Sequence, residues 1–173
     1  MWNWVGLCAL LFAGCASLVP ADPAEAKKKL AVDLGLELTE VHAVRPCAFA
    51  TTPIYVRRAE FVECALVQTN QGFVVARAVK EQARFESAVV LPFPGVQGYN
   101  LRIWGLAAQL QFVTASGVVS VHLKSGGRDS MDQQEEARKV ASVLREKGVR
   151  EIESPGRVDP AVNSLIPVLI PVR

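Results

Sequence analysis

Close cysteine pairs are missing from this chain. Its four cysteines stand at positions 8, 15, 47 and 64 and its two histidines at 42 and 122. None of them falls in the C-x2-C or similar spacing that gathers zinc ligands. His42, Cys47, Cys64 and His122 are the only set that can be drawn as ligands, and their wide separation predicts neither a metal nor a cofactor. The lack of C-x-x-C also argues against redox work. No nucleophile elbow and no paired-carboxylate signature is present, which argues against hydrolysis. Gly95-Val96-Gln97-Gly98 lacks the strand, Gly-rich turn and helix that cradle a phosphate, so it reads as a bend between strands. Charge of neither sign is in excess: 19 Lys and Arg face 17 Asp and Glu, a formal net charge of +2 spread along the sequence. Nucleic-acid binding needs a concentrated basic face, so no nucleic-acid partner is expected. Internal repeats are absent as well, and 173 residues suit one compact core with accessory segments.

What is present begins with WVGLCALLFAG, residues 4 to 14. The run is uncharged and too short to cross a hydrocarbon core of about 30 Å as a helix. It reads as the apolar region of a secretory signal. Phe12-Ala13-Gly14-Cys15, which follows it, resembles the lipobox of bacterial lipoproteins. Small side chains at Ala13 and Gly14 let the backbone enter a protease cleft, and only a thiol can form the thioether to a diacylglyceryl group. The resemblance implies a signal peptide over residues 1–14, lipidation of Cys15 and, with Ala16 rather than aspartate next to it, an outer-membrane protein facing the periplasm. Met1-Trp2-Asn3 departs from the pattern by offering no Lys or Arg. Ordinary cleavage near Ala24-Glu25-Ala26, or an uncleaved anchor, is the alternative. Once Cys8 leaves with the signal and Cys15 is acylated, Cys47 and Cys64 remain. They can pair in only one way in an oxidising compartment, or lie buried as separate thiols.

Residues 15–29 read as the lipidated N-terminus and a Pro, Ala and Lys-containing tether, with Lys27-Lys28-Lys29 a solvated cluster. From Leu30 to Val44 the pattern is mixed, since Leu34, Leu36 and Leu38 alternate as in a strand while Leu30, Leu34, Leu38 and Val41 form a helical stripe; interior Gly35 favours the strand. Val62, Cys64 and Leu66 share one strand face, Thr69-Asn70-Gln71-Gly72 carries turn chemistry, and Phe73 to Val79 runs back. Ala88 to Leu91, Tyr99 to Ile103, Ala108 to Phe112 and Val118 to Lys124 add further short strands. Their period of two predicts an antiparallel sheet with one solvated face, bearing Gln109, Gln111, Ser120 and His122. Ser130 and Gln133 resemble a capping box, after which Ala137, Val140, Ala141 and Leu144 make an amphipathic helix ending at Gly148. Val149 to Glu153 reads as a short edge strand. Residues 154–173 form an apolar tail in which Pro167 and Pro171 forbid a helix or a central strand.

These readings give a single domain over residues 30–153 of the α+β class, an antiparallel sheet or partly open barrel with one C-terminal amphipathic helix packed on it. The order of strands and helix from about Phe61 to Lys147 resembles bacterial pleckstrin-homology-like domains. That resemblance implies a partly open barrel plugged by the helix and used for binding. Phe93, Tyr99 and Trp104, on a loop expected to be exposed, are the first candidate partner-binding surface, and Arg57-Arg58 the second. The expected function is a non-enzymatic, lipid-anchored interaction module of the cell envelope. It would hold the membrane through Cys15 and have a possible protein partner. The alternative is a periplasmic hydrolase built on Cys64, His122 and Asp129, which requires a free thiolate, or a redox protein using the cysteines.

Overall fold

Asp22 has extended backbone, and its carboxylate accepts a hydrogen bond from the Glu25 N–H at 2.8 Å. Pro23 follows with a preset φ and a missing N–H that the first helical turn does not need. Helix α1 (Pro23–Leu34) therefore begins inside the segment read as a tether, and it continues through the segment that Gly35 had tipped towards a strand. Gly35 is instead the stop signal: it takes φ +66°, and the N–H groups of Gly35 and Leu36 close on the Val32 and Ala31 carbonyls. The computed structural model describes residues 18–54, 56–105, 107–124, 131–153 and 155–161. Cys15 and the lipobox, Asp129, Ser130 of the capping box, and the tail beyond Ala161 lie outside them.

The strands are β1 (Ala43–Thr52), β2 (Arg58–Ala59), β3 (Val62–Gln68), β4 (Gly72–Val79), β5 (Arg84–Pro92), β6 (Gly98–Trp104), β7 (Ala107–Thr114), β8 (Gly117–Leu123) and β9 (Asp159–Pro160), with helix α2 (Met131–Glu146) between β8 and β9. Seven of them make an antiparallel sheet in the order β5-β4-β3-β1-β8-β7-β6. Its end strands are β5 and β6, so the sheet is not closed. A parallel pair, β2 with β9, lies apart from it. The α+β class holds, with a correction: one helix precedes the sheet and one follows it.

Inner and outer faces of the sheet carry separate cores. On the inner face Cys64, Leu66, Phe73, Leu91, Tyr99, Leu110, Phe112 and Val121 pack with Ala137, Val140, Ala141 and Leu144, the stripe expected of α2. On the outer face Ala65, Val67, Ala76 and Phe85 pack under Ala26, Leu30 and Ala31 of α1. Successive β3 residues Cys64 to Val67 are thus all buried, the pattern of a strand covered on both sides. The expected solvated face is corrected on the other half of the sheet too, where Gln109, Gln111 and Ser120 are each 0% exposed. Residues 155–161, assigned to the tail, pack against those side chains as a strap. Between α2 and the strap, Arg150 to Ile152 run along β6, with the Tyr99 N–H donating to the Arg150 carbonyl and the Ile152 N–H to the Tyr99 carbonyl.

Candidate functional site

Cys47 and Cys64 face each other across β1 and β3 with Cα atoms 4.9 Å apart, and they form a disulfide. The Cys64 sulfur is therefore not a thiolate. His122 lies on the outer face, away from it, and is half-buried rather than solvated. Its ring packs edge-on against Phe61 and Trp104, with centroids 4.7 and 6.0 Å away. Burial first, and then the positive charge of Arg157, holds the His122 imidazole below its ordinary pKa.

The aromatic surface expected around residues 93–104 is not brought together. Tyr99 is 0% exposed. Its hydroxyl lies 3.4 Å from a Glu151 carboxylate oxygen, and burial, then the Glu151 charge, raises its pKa. Phe93 is half-buried in the turn Phe93–Gly95, edge-on to Phe73 and under the Lys147 ammonium. Trp104 is half-buried with the Arg157 guanidinium 4.4 Å over its ring. The sequence shows these three as neighbours along the chain, but the alternation of β6 and the strap decide what each touches. Arg57 and Arg58 are exposed as expected, and the Arg57 carbonyl accepts from the Asp159 N–H at 2.8 Å, tying the strap to β2.

The strap is held chiefly by side-chain amides. The Gln109 Nε2 donates to the Val158 carbonyl at 2.7 Å, and the Val158 N–H donates back to Gln109 Oε1 at 3.2 Å. Two residues along β7, the Gln111 Nε2 donates to the Gly156 carbonyl at 2.8 Å. The spacing of two in β7 matches a spacing of two in the strap, so each amide stands in for a rung of a ladder. Because Val158 fixes the Gln109 amide orientation, Nε2 is a donor towards His122 Nε2, 2.9 Å away. His122 then carries its proton on Nδ1.

A groove of about 250 Å³ opens at the far end of β3. Leu34 and Leu36, at the exit of α1, and Val74 and Val90, paired across β4 and β5, form its apolar floor. Glu40, Thr69, Asn70, Gln71 and Ser87 give it a polar rim. The turn beside it is closed by hydrogen bonds: the Thr69 N–H donates to the Gly72 carbonyl at 2.8 Å, and the Gly72 N–H donates to Thr69 Oγ1 at 3.2 Å. Gly72 has no substitute there, since a Cβ would meet the Leu91 carbonyl oxygen at 2.1 Å. Val90 is 63% exposed, and Leu38 and Val32 nearby in sequence to the floor residues are exposed too. Along the groove runs β5, an end of the sheet. Asp33 accepts from the Phe85 N–H at 3.0 Å at the start of that strand; from Ser87 to Val90, among the described residues, no strand pairs with its outer edge. No local signal in the sequence points to this groove, because its lining comes from three separate stretches.

No protein family and no curated protein matches the chain. Among solved structures it is similar to the hSac2 domain of the human phosphoinositide phosphatase Sac2, with 11% sequence identity and a TM-score of 0.44, over 70% of this chain and 83% of that one. Likeness at that level says nothing about activity.

Proposed function

We propose that the protein is an envelope lipoprotein, anchored through Cys15 in the outer membrane and facing the periplasm, which works without catalysis by binding an extended apolar segment of a partner protein. The groove beside β5 carries this reading. An open strand edge offers main-chain hydrogen bonds to an added strand, and an apolar floor beside it accepts alternate side chains. The disulfide supports the oxidising compartment.

Displayed random peptides panned on the purified domain test the binding. They should converge on extended sequences with alternate apolar residues, and Val90→Arg should weaken them about tenfold, equal to about 1.4 kcal/mol. Its melting temperature should stay near that of the native chain, because the position is exposed. A library that returns nothing above background, or peptides that bind Val90→Arg equally well, overturns the reading. Cys15→Ser should move the protein from the membrane to the soluble periplasm, and the native protein should show the mass of a diacylglyceryl group.

A further inference from the structure

Just upstream of α1, residues 18 and 19 pack against the domain. Val19 is 7% exposed and packs with Ala26, Leu30, Ala65 and Phe85. Leu18 and Val19 line a small outer-face hollow together with Glu63, Ala78, Phe85 and Lys124, where β1 and β3 pass at Cys47 and Cys64. Only Ala16 and Ser17 separate Cys15 from Leu18, three residue steps that reach at most about 10 Å when extended. Resting on the anchor reading above, we infer that this end of the sheet lies against the lipid headgroups, with acidic phospholipid as its partner. The β5 groove would then be presented away from the membrane.

Lys29 reaches this end too, donating to the Ala83 carbonyl at 2.8 Å, but it is paired with Asp33 at 3.0 Å and adds no net charge; three further cations stand here. The side chains of Lys80 and Lys124 are 70% and 47% exposed and share the Glu63 carboxylate at 3.0 and 2.9 Å. Their hydrogen bonds, that of Lys124 first, hold Glu63 below its ordinary pKa. Arg84 is exposed at the start of β5, and Glu81 is the other carboxylate of the adjoining turn. Lys80, Lys124 and Arg84 against Glu63 and Glu81 leave one positive charge. That surplus is too small to recruit a free domain to a membrane but suffices to bias how an anchored one lies. The groove is far from it: from Glu63 to Thr69 along β3 is about 20 Å, at about 3.4 Å per residue.

Lipidated protein, its mass verified, is reconstituted in phosphatidylethanolamine–phosphatidylglycerol vesicles containing brominated lipid, with a fluorophore at Gln82→Cys or Gln71→Cys. Gln82 is exposed in the turn beside Lys80, and Gln71 is exposed at the groove. Quenching should be strong at 82 and weak at 71, and the difference should shrink when phosphatidylglycerol is omitted or when Lys80, Arg84 and Lys124 are all changed to Gln. Equal quenching at the two sites in lipidated protein overturns the orientation and leaves the anchor standing. An intact mass without the diacylglyceryl group overturns both. Tight binding of Cys15→Ser protein to the same vesicles would also overturn the inference, since it would mean a surface that needs no anchor.

Discussion

Gln109→Leu keeps the size of a buried side chain and removes its amide, so it isolates what that amide does. Gln109 is 0% exposed and Val158 is 3% exposed. The substitution leaves the Val158 N–H and carbonyl without the partners they have at 3.2 and 2.7 Å. Each buried backbone group left unpaired costs about 1–3 kcal/mol, and the added apolar contacts return part of it. A net loss of about 2–4 kcal/mol is expected, which lowers the melting temperature of a domain this size by about 5–15 °C. The strap can also peel away while the rest stays folded, which would cap the loss. Two readouts are therefore needed. Calorimetry gives the melting temperature, and trypsin cleavage after Arg157, exposed in the strap, reports peeling at lower temperature. A variant that melts within about 2 °C of the native protein and resists trypsin as well as it does would refute the role given to the amide.

Acidification should loosen the same region. His122 has its pKa lowered in the fold by burial and Arg157, so the unfolded chain binds the proton more tightly. Stability is then complete above the ordinary value of 6.5 and is lost as pH falls below it towards the lowered folded value. The groups facing the ring are Arg157 and Asp159 of the strap, and His122→Gln should flatten the melting temperature measured across that window. An unchanged slope would locate the pH dependence elsewhere. The disulfide closes a sequence separation of 17 residues, worth about 3 kcal/mol in the chain-entropy picture. Replacing Cys47 and Cys64 by Ala should lower the melting temperature by about 6–12 °C. Thiol labelling of unfolded, non-reduced protein should find neither residue free.

Local signals in the sequence led to the right elements wherever the signal and the structure shared the same few residues. The Thr69–Gly72 turn, the α2 stripe and the Cys47–Cys64 pair are of this kind. Gly35 shows the limit: a glycine between apolar residues reads equally as a weak point in a strand or as a helix cap, and only the burial of Leu30 and Ala31 against β3 to β5 decides. Strand β1 is not among the strands expected from the sequence, and Pro46 lies within it. That proline is tolerated because its peptide groups face β8 just where that strand ends at Leu123: its carbonyl accepts from the Lys124 N–H at 2.8 Å, and the missing N–H costs only this last rung. The groove was illegible for a different reason. Which strand ends the sheet is set by the order of strands, and nothing in residues 84–92 says that β5 is the one left open.

Period two in β7 and β8 does reveal that Gln109, Gln111, Ser120 and His122 share a face. What it cannot reveal is what lies over that face, and the two halves of the sheet solve this differently. Helix α1 satisfies its own peptide groups, so the wall beneath it must be apolar and close-fitting, as Ala65, Val67 and Ala76 are. An extended strap with only a two-residue ladder to β2 brings bare peptide groups with it, so the wall beneath it must supply donors and acceptors, and amides two residues apart do so. Each wall suits its cover and would fail under the other. Ala76→Gln tests the apolar half: it buries an amide under α1 where no partner waits and adds volume to a tight contact, for an expected loss of about 2–5 kcal/mol. Calorimetry should show a fall of about 5 °C or more. A melting temperature that does not move would mean that α1 tolerates polar groups beneath it, and the contrast between the two halves would not stand.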